Sequence, residues 1–179
     1  MIKLNAKELR VSEPTEEELQ RVKRNPITII VDNVLDTYNI GAIFRVADSI
    51  AAKKIYLCGK TETPPYHKIQ KASVGTWQWV PWEYSKTAKE AVLKVKSKDE
   101  KVKIIAIEQH KKSVPYTRPT YKMPIAFIIG HETTGVSDDV MKIADYIVEI
   151  PMYGVNRSLN VMVSLAIVSY HTITNSTKI

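Results

Sequence analysis

Short runs rich in branched apolar residues, Ile27 to Val31, Val102 to Ile107 and Ile125 to Ile129, recur along the chain and alternate with stretches of helical spacing. Runs of this length read as strands covered on both faces, and strand–helix alternation is the pattern of a parallel sheet with helices on its sides. Further strands are expected at Lys54 to Leu57, Gln78 to Pro81 and Tyr146 to Ile150. Helices are expected at Glu16 to Arg24 after Pro14 and Thr15, at Ile40 to Ile50, near Ser85 to Lys96 and Asp138 to Ala144, and from Ser158 to about His171. The second of these carries Ile40, Ile43, Phe44 and Ala47 on one stripe, with Arg45, Asp48 and Ser49 off it. The fold class is therefore α/β, a mostly parallel sheet flanked by helices.

At 179 residues the chain is expected to form one domain over residues 26–179, preceded by an N-terminal extension over 1–25 with a short helix. No apolar run approaches the ~20 residues of a membrane-spanning helix, and the first ten residues lack the apolar core of a secretory signal. The lone Cys58 excludes an internal disulfide and a multi-thiolate metal site. A cytoplasmic protein without membrane association is expected. The formal net charge of +7 points to an anionic partner. Most of the lysines between Ala88 and Lys103 read as the solvated side of a helix, being mixed with Glu90, Asp99 and Glu100. The segment Tyr66-His-Lys-Ile-Gln-Lys71 leading to Trp77, Trp79 and Trp82 interleaves cations with rings in what reads as a loop region. That arrangement suits phosphates and unpaired bases; equally, Trp77 and Trp79 would share one face of a strand packed on a core.

Three polar segments follow strand-like runs: Asn39-Ile-Gly-Ala-Ile-Phe-Arg45, Ile128-Ile-Gly-His-Glu132-Thr-Thr-Gly135, and Ile150-Pro-Met-Tyr-Gly-Val-Asn-Arg-Ser158-Leu-Asn160-Val161. Ligands of open α/β sheets bind at the carboxyl ends of strands, where helix N-termini offer free N–H groups. Asn39 reads as a helix cap, as does Ser158 or Asn156 before the last helix, and local capping alone would account for them. Arg45 by itself reads as the partner of Asp48 three residues on. With the three segments in this order and spacing, the chain resembles the SPOUT superfamily of S-adenosylmethionine-dependent RNA methyltransferases, in its SpoU or TrmH-like branch of ribose 2′-O-methyltransferases. The resemblance runs from about Ile27 to His171.

The resemblance implies what the spacing does not: a deep trefoil knot near the C-terminus, a bent S-adenosylmethionine held by backbone groups of the knot loops, a homodimer with a shared active site, and an RNA substrate. By the same resemblance Asn39, Arg45, Glu132, Ser158 and Asn160 are the expected catalytic set. Gly130, Ile150, Met152 and Leu159 are the expected cofactor contacts. A guanidinium has a pKa above ~12, so Arg45 is expected to bind the RNA phosphate and polarise the 2′-hydroxyl rather than serve as a base. Asn39 is expected to orient Arg45, and Glu132 to accept loop amides or position an interface arginine. A single catalytic domain with a short basic N-terminal helix resembles the tRNA-modifying members, with a D-loop guanosine as the expected target. Large-subunit rRNA is the alternative substrate, and a non-catalytic RNA-binding dimer the alternative function.

Other chemistries find no support in the residues. Gly59-Lys60-Thr61 lacks the earlier glycine of a phosphate loop, the position being Lys54, and no Gly-x-Gly-x-x-Gly follows a strand. His67, His110, His131 and His171 have no partner at metal-ligand spacing, so no metal is expected. No Gly-x-Ser-x-Gly elbow marks a hydrolase.

Overall fold

The computed structural model describes residues 14–176; residues 1–13, which include the stretch read above for a secretory signal, lie outside them. Its strands are β1 (Asn25–Asp32), β2 (Ala52–Cys58), β3 (Trp82–Ser85), β4 (Lys103–Ile107), β5 (Val114–Pro115), β6 (Ile125–Gly130) and β7 (Tyr146–Glu149). The helices are α1 (Glu16–Gln20), α2 (Thr37–Ser49), α3 (His67–Ser73), α4 (Ala88–Lys98), α5 (Asp138–Met141) and α6 (Val161–Ser176). One sheet has the order β3-β2-β1-β6-β4-β7-β5, with every pairing parallel.

The two most apolar runs lie side by side at its centre, in register from Ile27 opposite Ile125 to Asp32 opposite Gly130. Alternation along each strand divides the core into two layers. Ile27, Ile29, Val31, Phe127 and Ile129 face α2, α3 and α6, whereas Ile30, Ala126 and Ile128 face α4 and α5. Each fully buried side chain of this size contributes about 1.5–3 kcal/mol, so both layers hold these strands in one register. The α/β class and the parallel sheet expected from sequence are therefore present.

Several local expectations are corrected. The stretch Gln78 to Pro81 is no strand: Gly75, at φ +85, leads into a single 3-10 turn at Thr76–Gln78. The edge strand starts at Trp82, because Pro81 has no N–H to give a ladder and contributes only its carbonyl, which accepts from Ile55. Trp77 and Trp79 pack half-buried against the core from that turn and the residue after it. Tyr66 to Lys71 is mostly helix, since α3 begins at His67. The first helix ends at Gln20 after a capping box between Thr15 and Glu18, and α4 ends at Lys98, well before Lys103. In α4 the buried stripe Ala88, Ala91, Val92 and Val95 leaves the lysines outward, as read from sequence. Among the described residues no helix is long and apolar enough to cross a membrane.

Candidate active site

At the carboxyl ends of β4, β6 and β7 three loops enclose a shallow cleft of about 100 Å³ that is open to solvent. Gly130, Ile150, Met152 and Leu159, the expected cofactor contacts, all line it, together with Ser158. Apolar walls come from Ile107, Ile129, Val148 and Leu159, and polar groups from Glu108, Gln109 and Glu149. Glu108 and Gln109 were not singled out from sequence, because Ile107-Glu108-Gln109 carries no turn residue or motif that distinguishes it from an ordinary strand end.

One wall is a tight turn with little freedom. His131 N–H donates to Gly135 O (3.1 Å) and Gly135 N–H to His131 O (2.9 Å), closing residues 131–135 into a loop. A Cβ on Gly130 would lie 2.2 Å from the backbone of Gly135 and Val136, and Gly135 adopts φ +72 with its α-carbon against the Glu108 carboxylate. Only glycine permits both approaches. Glu108 Oε2 then accepts from Val136 N–H at 3.0 Å, which joins the β4 loop to the turn. Gln109 joins the same loop to the third segment by donating from Nε2 to the Arg157 carbonyl.

The turn also presents Glu132 to α2. Its carboxylate accepts from Leu35 N–H (3.2 Å), Asp36 N–H (3.1 Å) and Asn39 Nδ2 (3.0 Å). Burial, the largest single influence, opposes ionisation; the hydrogen bonds together outweigh it and hold the carboxyl below its ordinary range. A negative charge before the first turn of α2 is also favoured by the helix dipole. Asn39, itself buried, accepts from Asn160 Nδ2 at 2.9 Å, and Asn160 Oδ1 accepts from Met162 N–H at 2.9 Å. Residues from all three polar segments thus form one chain of hydrogen bonds, Glu132 to Asn39 to Asn160.

This chain corrects both expected caps. Asp36, not Asn39, caps α2 by accepting from Tyr38 N–H at 2.8 Å, which leaves Asn39 in the first turn with its amide free to bridge. Asn160, not Ser158 or Asn156, caps the last helix, so α6 starts at Val161 and the loop before it is extended. Ser158 and Leu159 are thereby left to line the cleft.

Arg45 stands apart from this network. It is exposed on α2 and makes no ion pair with Asp48, whose Oδ1 instead accepts from Trp79 Nε1 at 2.7 Å. Nor does Asn39 orient it: Asn39 is committed to Glu132 and Asn160, and six residues of helix turn the two side chains about 120° apart. Among the described residues Arg45 has no hydrogen-bond or ion-pair partner, and its guanidinium is available to a ligand. No group of three or more His, Cys, Asp or Glu able to hold a metal occurs among the described residues.

The same architecture occurs in known proteins. A tRNA (guanosine(18)-2′-O)-methyltransferase of Aquifex aeolicus is 29% identical over 160 residues, covering 86% of this chain and 71% of that protein. One from Escherichia coli strain K12 is 27% identical over 149 residues, covering 83% and 63%. The crystal structure of a TrmH/SpoU tRNA modifying enzyme from A. aeolicus superposes with a TM-score of 0.79 at 27% identity, covering 91% of this chain and 84% of that one. The SpoU rRNA Methylase family model matches residues 26–170, a span that contains the sheet, the cleft and the Glu132–Asn39–Asn160 chain, and the protein belongs to that family.

Proposed function

We propose that the protein is an S-adenosylmethionine-dependent RNA ribose 2′-O-methyltransferase acting on tRNA in the cytoplasm. The observation that carries this reading is that one turn, residues 130–135, both walls the cleft and ties Glu132 to Asn39 and Asn160. A cofactor site and a substrate-positioning network are therefore parts of one rigid unit. The residues fit the cofactor: apolar walls at Ile129, Val148 and Leu159 suit a flat base, and the carboxylates of Glu108 and Glu149 suit a sulfonium cation. The backbone around Gly130, Ile150 and Met152 would hold it, and when bound it supplies an electrophilic methyl and a neutral thioether leaving group.

The chain's own groups then have distinct tasks. Arg45, charged and unpaired, binds the phosphate next to the target ribose and stabilises negative charge developing on the 2′-oxygen. It keeps its proton, so the hydroxyl proton leaves to phosphate or water. Glu132 and Asn39 fix the start of α2, and Asn160 fixes the start of α6, which places Ser158 in the cleft to align the ribose. The reading includes the trefoil knot and a homodimer. The first rests on the family match over residues 26–170. Supporting the second, α6 leaves Met162, Val163 and Ile167 half-buried and Tyr170 48% exposed, an apolar flank for a second copy.

The test is transfer of tritiated methyl from S-adenosylmethionine to unmodified total tRNA and, separately, rRNA, with ribose methylation mapped by resistance to alkaline cleavage. We expect alkali-resistant label on tRNA and a loss of about 10²–10³ in rate for Arg45→Ala, the scale of removing one charge-stabilising donor. Label on rRNA alone reassigns the substrate, and label on neither overturns the reading.

A further inference from the structure

Four lysines on the α4 side of the sheet are paired, Lys54 and Lys94 with Glu83 and Lys96 and Lys103 with Asp145, while Lys89 and Lys98 of α4 are exposed and have no ion pair among the described residues. On the α2–α3 side Arg45, Lys68 and Lys71 are exposed and have no ion pair among the described residues. The segment 63–82, which contains α3, includes no Asp or Glu, although the chain as a whole has 19.

α3 packs directly on α2, the helix that carries Arg45. Gly41 of α2 lets α3 approach so closely that a Cβ there would lie 2.5 Å from Ala72 Cβ and 2.8 Å from the Ile69 carbonyl. The buried side of α3 is Ile69 and Ser73; one-hundred-degree spacing puts His67, Lys68 and Lys71 on the opposite, exposed side. Arg45 follows Gly41 by one turn on the same stripe of α2. It lies between the α3 contact at Gly41 and the Trp79–Asp48 hydrogen bond, where the chain returns to α2. Both helices belong to the layer that also contains the apolar walls of the cleft.

We propose that Lys68 and Lys71 on α3 extend Arg45 into a phosphate-binding ridge that holds the sugar–phosphate backbone of the RNA substrate beside the reacting nucleotide. The occupant is a polyanion, since the ridge offers unneutralised positive charge and no apolar pocket. Arg45 holds the phosphate at the target ribose, and the two lysines hold phosphates further along the strand. These contacts add affinity and register without touching the methyl-transfer step. The inference rests on the RNA methyltransferase reading above.

The test compares wild type, Lys68→Ala/Lys71→Ala and Lys68→Arg/Lys71→Arg, with Lys89→Ala/Lys98→Ala on α4 as the control. Filter binding to unmodified tRNA across a salt series gives Kd, single-turnover labelling gives the rate at saturating RNA, and calorimetry gives cofactor binding. For the α3 alanine pair we expect a weaker Kd and a salt slope shallower by about 1.4–1.8, the loss of two phosphate contacts. The saturated rate and cofactor affinity are unchanged, the arginine pair restores binding, and the α4 control matches wild type. A wild type that binds and methylates tRNA, with an α3 alanine pair of the same Kd and slope, overturns the ridge alone. An equal loss in the α4 control also overturns it, by showing that only net charge matters. A wild type that binds neither tRNA nor rRNA overturns the ridge together with the function it rests on.

Discussion

Gly130→Ala is the substitution whose cost follows most directly from the structure. The added Cβ would sit 2.2 Å from the Gly135 carbonyl carbon and the Val136 nitrogen and 2.3 Å from the Gly135 oxygen, all of them backbone. Reaching an ordinary carbon contact of ~3.5 Å requires the turn to retreat by about 1.3 Å. That displacement stretches the two His131–Gly135 hydrogen bonds and the Val136 N–H to Glu108 bond. Overpacking costs about 1–3 kcal/mol, and each lost hydrogen bond about 0.5–1.5 kcal/mol. With partial relaxation we expect about 3–4 kcal/mol in total, which lowers Tm by roughly 6–16 °C for a chain of this size. Because the turn walls the cleft, cofactor affinity falls as well. The assay is thermal unfolding with and without S-adenosylmethionine, with Gly154→Ala as control, since a Cβ at Gly154 would meet nothing within 4 Å. A Gly130→Ala protein melting within 2 °C of wild type would refute the claim that the close approach of Gly130 and Gly135 is rigid.

Two further substitutions probe the hydrogen-bond chain. Asn39→Ala leaves Asn160 Nδ2 without its acceptor and is expected to cost about 1–3 kcal/mol in denaturant unfolding. Asn39→Asp, which faces one carboxylate with another, should cost more; equal stability of Asn39→Asp and wild type would show that the chain is not formed in solution. Glu132 has a lowered folded pKa, so its stabilisation is complete above the unfolded value near 4.3 and is lost as pH falls through the lower folded value. The Tm difference between wild type and Glu132→Gln should therefore be constant from pH 6 to 8 and shrink below about pH 4. A difference that stays flat down to pH 3 would dissociate Glu132 from the stability of the α2 start.

How far the sequence could be read depended on whether a signal was local. The runs at Ile27 and Ile125 required buried parallel strands, because nothing else in a domain this size covers both faces of such a segment. Two of the three polar segments were legible for the same reason, Ile128 to Gly135 and Ile150 to Val161 each combining a strand end with residues that cap or turn a chain. Local chemistry misled where two residues could do one job. Asp36 and Asn39 are both good caps for α2, and Asn156, Ser158 and Asn160 for α6; nothing within a few positions chooses among them.

Tertiary structure made those choices. Asn39 bridges to residues 93 and 121 positions away, and only with β1 and β6 paired do Glu132 and Asn160 reach it. The same holds for Glu108 and Gln109, which enter the cleft through contacts with Val136 and Arg157, and for Lys54, Lys94, Lys96 and Lys103, whose neutralisation depends on Glu83 and Asp145 being near in space. Sequence alone determined the central apolar strands, the order of the polar turns and the class of fold, since burial periodicity and turn chemistry act over a few residues; the edge strands β3 and β5 it did not. Which polar atom meets which was decided only by packing, because a hydrogen bond or ion pair extends about 3–4 Å in space and carries no information along the chain.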